Sequence, residues 1–131
     1  MNVQFLMKSS VAERRKILKN RFNFKNMEND VDLQVLAPEE VVEKIKNFPG
    51  WVYANDKITK SFLFSAFDDV VAFIGELASF CNRIDHHPDI HIYYKKVVFD
   101  LQRFSVGGKV TERDFTVARE IERLYAAKNI S

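Results

Sequence analysis

Val41, Val42, Ile45 and Phe48 recur at helical spacing behind Leu36-Ala37-Pro38-Glu39-Glu40, where a proline at the first helical position and two acids in the first turn mark a helix start. Pro49-Gly50 ends that helix, and Trp51 to Ala54 and Ile58 to Phe64 then read as strands around the polar turn Asn55-Asp56-Lys57. Ser65-Ala66-Phe67-Asp68 has capping-box spacing with an Asp variant. Behind it Phe67, Val70, Val71, Ile74, Leu77, Ala78 and Cys81 predict a long central helix. A second hairpin runs from Ile90 to Tyr94 and from Val97 to Phe104, turning at Lys95-Lys96. In its second strand Phe99 and Leu101 alternate with Asp100 and Gln102, which predicts one face packed on helices and even-numbered side chains pointing away from the core. Thr111 caps a last helix carrying Phe115, Ala118, Ile121 and Tyr125 along one side.

The order αββαββα predicts a two-layer α+β domain: a four-stranded antiparallel sheet with helices packed on one face. At 131 residues, 47% of them hydrophobic and 12 of them Phe, the chain can supply one substantial core. Residues 1–35 are expected to form a basic N-terminal extension, a short helix and linker or a frayed tail, and residues 36–131 the folded domain. The charge divides the same way. Seven Lys and Arg face four Asp and Glu in residues 1–35, against thirteen and fourteen in the remainder. A near-neutral body argues against a nucleic-acid surface, because phosphate binding needs clustered cations.

Cys81 is the single cysteine, so no intramolecular disulfide can form, and its apolar helical setting suits a small buried hydrophobe in a reducing compartment. The longest purely apolar stretch, around Val70 to Ile74, is far shorter than the roughly 20 residues of a membrane span, and no secretory apolar region follows Met1. A soluble cytoplasmic protein without membrane contact is expected.

Candidate chemistry concentrates in Asp85-His86-His87-Pro88, with Tyr94 beyond it and Thr111-Glu112-Arg113-Asp114 across a Gly107-Gly108 turn. Two of the three histidines are adjacent there, and imidazole is the side chain that titrates near neutrality, so the pair suits proton transfer to and from a ligand. Histidines before a proline also occur as plain polar loop residues, and Thr111-x-x-Asp114 is itself a capping-box arrangement. A metal site made from His86, His87 and His91 is disfavoured, since adjacent histidines project in different directions and structural zinc takes four side chains.

Gly50-Trp51, Phe62-Leu63-Phe64, Phe67, Ala72-Phe73, Asp85-His86-His87-Pro88, Tyr94, Val97, Leu101 and Glu112-Arg113-Asp114 together resemble the pterin-4a-carbinolamine dehydratases, over about residues 36 to 127. The resemblance implies dehydration of 4a-hydroxytetrahydropterin, such as the tetrahydrobiopterin form, to quinonoid dihydropterin. It implies no metal and no cofactor, the pterin being the substrate. It assigns acid and base roles to His86 and His87, with His87 favoured as the acid, and has Asp85, Arg113 and Asp114 line or brace the pterin pocket. It further implies a homo-oligomer, dimer or tetramer, with Ala66, Ala72, Phe73 and Phe80 outside the main stripe of the central helix available for contacts. Two positions depart from the family pattern. Asn82 stands where an acidic or basic residue is usual, and Phe104 stands where a third histidine is expected. Phe104 on the outward face could stack on a pterin and be a substrate-binding residue, but it moves no proton. Losing one acid/base group costs about 10²- to 10⁴-fold in rate, so activity is expected to be lowered or lost. The alternative implied by the same resemblance is a pterin-binding or protein-interaction module with a protein partner, such as a transcription dimerisation cofactor or an assembly factor.

Overall fold

The computed structural model describes residues 34–129, and the helix and linker expected within residues 1–35 lie outside them except for Gln34 and Val35. The elements are α1 (Pro38–Ile45), β1 (Val52–Ala54), β2 (Lys57–Leu63), α2 (Phe67–Ile84), β3 (Asp89–Tyr93), β4 (Lys96–Leu101), a 3₁₀ turn (Phe104–Val106) and α3 (Glu112–Asn129). This is the expected αββαββα order, and the four strands make one antiparallel sheet ordered β1-β2-β4-β3.

Local chemistry explains the turns. Asn55 and Asp56 both take positive φ, as the tight β1–β2 hairpin requires, and short polar side chains tolerate that conformation. The register pairs Ile58 with Leu101, Lys60 with Phe99 and Phe62 with Val97, so the buried side chains of β2 and β4 meet on one face. Onto that face pack Val70, Phe73, Leu77 and Cys81 of α2 and Phe115, Ala118 and Ile121 of α3. Aromatic rings tie the layers together: Phe99 lies 5.7 Å from Phe62 and 6.0 Å from Phe73, and Tyr125 lies 4.8 Å from Phe62.

Three details differ from the sequence pattern. The capping box at Ser65 does not form. The helix starts behind Ala66, which has no side-chain acceptor, and its first turn is supported by backbone bonds to the Ala66 carbonyl and by Asp68 and Asp69 near the positive end of the dipole. The buried stripe of α2 includes Phe73 and leaves Phe67 and Val71 outside, about half exposed at 47% and 53%. The Phe73 ring fills the space between Phe64, 5.1 Å away, and Phe99, so Phe73 is core and unavailable for intersubunit contact. Strand β4 stops at Leu101 instead of reaching Phe104, because the chain turns to pair Arg103 with Lys109 across Gly107-Gly108. Both glycines have positive φ, and a Cβ on Gly108 would come within 2.9 Å of the Gln102 side chain.

Candidate functional site

The site begins where α2 ends. Asp85 is in the left-handed conformation, its N–H donates to the Asn82 carbonyl and that of His86 donates to the Cys81 carbonyl, the double bond pattern of a Schellman stop. Pro88 follows and cannot continue the helix. This tight exit turns His86 inward and leaves His87 exposed.

His86 is only 4% exposed, and its Nε2 is held by Oδ1 of Asp114, which is fully buried in the first turn of α3. The other carboxylate oxygen of Asp114 accepts the Thr111 N–H at 2.8 Å and the Thr111 hydroxyl at 3.3 Å. Asp114 therefore serves the helix cap and the imidazole at once. On the far side of the ring, Nη1 of Arg103 lies 3.1 Å from Nδ1 of His86 and donates as well to the Asp85 carbonyl at 3.3 Å. The exposed His87 donates from Nε2 to Oδ1 of Asn82 at 2.9 Å, so Asn82 orients this ring.

A cleft of about 270 Å³ opens in front of these groups, slightly below the roughly 300–1,000 Å³ usual for small-molecule sites. Asp85, His86, His87 and Phe104 share its wall. Phe104 stands at the mouth on the 3₁₀ turn, 82% exposed, instead of extending a strand. Arg113 and Asp114 are not on the wall. Asp114 instead holds His86 from the interior, and the buried Arg113 donates to the Ile84 carbonyl at 2.9 Å, at the end of α2 from which the histidines project.

Sequence reasoning missed Arg103 and Asp89, and it treated Asp100 only as an outward side chain. All three line the cleft, together with Gln102. Asp89 pairs in register with Asp100 across β3 and β4, and the alternation along these strands was the available signal for both. Asp100 is on the outward face as expected yet almost buried, because Lys57 Nζ and His91 Nε2 each lie 3.1 Å from its Oδ2. Burial pushes its carboxyl pKa up, but hydrogen bonds from Thr59, Lys57 and His91 and the Lys57 charge outweigh that and hold it below its ordinary value. Cys81 is the opposite case. Burial, with the nearby Glu120 charge, pushes its thiol up to about 12, so it is a core group and no nucleophile.

Among the described residues no group of three or more His, Cys, Asp or Glu is clustered to hold a metal ion, and no helix is long and apolar enough to cross a membrane.

A family profile described as pterin 4 alpha carbinolamine dehydratase matches residues 34–124. A Sulfolobus acidocaldarius protein provisionally named a pterin-4-alpha-carbinolamine dehydratase is 37% identical over 89 residues, covering 68% of this chain and 97% of its own length. A Mycolicibacterium smegmatis protein with the same provisional name is 36% identical over 94 residues, covering 72% and 99%. Among solved structures, a Brucella melitensis transcriptional coactivator/pterin dehydratase superposes with a TM-score of 0.65 at 30% identity, over 70% of this chain and 98% of its own.

Proposed function

The chain belongs to the pterin 4 alpha carbinolamine dehydratase family, and from that premise we propose that it dehydrates 4a-hydroxytetrahydropterin to quinonoid dihydropterin in the cleft before His86 and His87. The observation that carries this reading is the pairing of a buried, carboxylate-held imidazole with an exposed one on a single wall.

The C4a hydroxyl is a poor leaving group until it is protonated, and the electrons it takes are replaced from a ring nitrogen that must lose its proton. One acid and one base suffice, and no cofactor is required. His87 is the acid. It is exposed, so it can be recharged from water, and Asn82 holds its Nε2–H in either protonation state. His86 is the base, with Asp114 holding Nε2 so that Nδ1 is the accepting nitrogen. Phe104 offers the pterin a ring to stack on, and Asp85 offers its amino and ring N–H groups a carboxylate. Turnover of 4a-hydroxytetrahydropterin above the spontaneous rate, followed by formation of the quinonoid product, tests the proposal.

One observation favours a second reading. An 82% exposed phenylalanine occupies the position at which the family pattern has a histidine, and such a ring also suits a protein interface. Pterin binding without turnover would favour this interaction-module role, for which the Brucella melitensis relative, a transcriptional coactivator/pterin dehydratase, is a precedent.

The same proposal includes a homo-oligomer, dimer or tetramer, in the cytoplasm. Phe67 and Val71 on α2 and the edge position of β3 offer the surfaces for it. Sedimentation as a monomer at micromolar concentration would contradict it.

A further inference from the structure

Both ring nitrogens of His86 are engaged. Asp114 takes Nε2 from the interior, and the guanidinium of Arg103 covers Nδ1 at 3.1 Å. A guanidinium has only donors and keeps its charge at every pH a folded protein meets, so Nδ1 is the nitrogen without a proton and the ring proton lies on Nε2, facing Asp114. In a carboxylate–imidazole pair, the nitrogen turned away from the carboxylate is the one that takes a proton from a ligand. His86 and Arg103 are both on the cleft wall and Asp114 is not, so the covered nitrogen is the one that would serve the cleft.

We propose that Arg103 masks the base nitrogen of His86 in the ligand-free protein, and that a ligand engages His86 only when the guanidinium is drawn aside. The backbone around Arg103 is pinned. Its N–H donates to the Lys109 carbonyl at 2.8 Å, and its own carbonyl accepts the Gly108 N–H at 2.9 Å. Unmasking is therefore a side-chain rotation and needs no loop opening. Asp85 and Asp89 on the same wall offer carboxylates to the displaced guanidinium. Arg103 is thus a positioning residue that acts through His86. The identity of the ligand rests on the dehydratase proposal, whereas the mask is a property of the free chain.

Carbethoxylation by diethyl pyrocarbonate attacks unprotonated imidazole nitrogens and needs no pterin, so it separates the mask from the dehydratase proposal. The full chain is labelled near neutral pH as wild type, Arg103→Ala and Arg103→Gln, and each histidine is followed by peptide mass spectrometry. In the wild type, His87 and His91 react while His86 is protected. Removing a charge-assisted hydrogen bond in Arg103→Ala raises the His86 rate on the order of tenfold or more, with His87 and His91 nearly unchanged. Arg103→Gln keeps N–H donors without the charge and gives an intermediate His86 rate. His86 labelling as fast as His87 in the wild type, or no selective rise at His86 in both variants, overturns the proposal.

Discussion

Asp114 and His86, 28 positions apart, form a buried carboxylate–imidazole pair that joins the start of α3 to the end of α2. Each oxygen of the carboxylate has its own task, one holding Nε2 of the histidine and the other closing the helix cap at Thr111. The orientation of the imidazole and the integrity of the cap are therefore one structural event.

Asp114→Ala leaves the Thr111 N–H and the His86 Nε2–H without their buried acceptor. Each such group costs roughly 1–3 kcal/mol, so the variant is expected to unfold about 3 kcal/mol more easily. Urea titration followed by fluorescence of the buried Trp51, whose Nε1 donates to Glu122 at 2.8 Å, measures the loss. A stability equal to wild type would show that the pair contributes nothing to the fold.

Phe104→Ala removes the exposed ring at the cleft mouth. Stacking of this kind contributes about 0.5–1.5 kcal/mol, so pterin affinity should fall by roughly threefold to tenfold. Phe104→His restores an acid/base group of the kind that contributes about 10²–10⁴-fold when well placed, and dehydration should rise by on the order of tenfold or more even though the position lies on a turn and not on a strand. Calorimetric titration and the dehydration assay read the two effects separately.

Asp100 predicts a pH dependence. Its folded carboxyl titrates below its unfolded value, so its contribution is fully present above the unfolded value and is lost as the pH falls through the folded one. The gap in melting temperature between wild type and Asp100→Asn should be largest near about pH 7 and should close toward about pH 3 and below. A gap that stays constant down to that pH would mean that the Lys57 and His91 contacts do not stabilise the charged form.

Cys81, with its thiol pushed up to about 12 in the core, should resist a thiol reagent in the native protein and react at once after unfolding in guanidinium. Rapid labelling of the native chain would contradict its burial.

The order of elements, the outward face of β4 and the histidine pair could be read from the sequence, because period-2 and helical patterns and the Asp85-to-Pro88 run are local signals. Phe73 lies outside the helical stripe that the spacing picks out yet is buried as an aromatic core residue, because its place depends on the Phe64 and Phe99 rings, which only tertiary packing brings to it. Arg103 gave no signal. A lone arginine after a strand is ordinarily a solvated surface group, and its contact with His86, 17 positions away, is made only by tertiary folding. Arg113 was expected to line or brace the pocket. It is not on the cleft wall, and it donates to the Ile84 backbone carbonyl, a contact that no side-chain pattern can reveal.

The most direct test of the account is the dehydration rate of 4a-hydroxytetrahydropterin by wild type and His87→Ala at matched concentration. The account predicts turnover above the spontaneous reaction in the wild type and a loss of about 10²-fold or more in the variant. Equal rates in both, or no turnover by the wild type, would contradict proton transfer by His87 in this cleft.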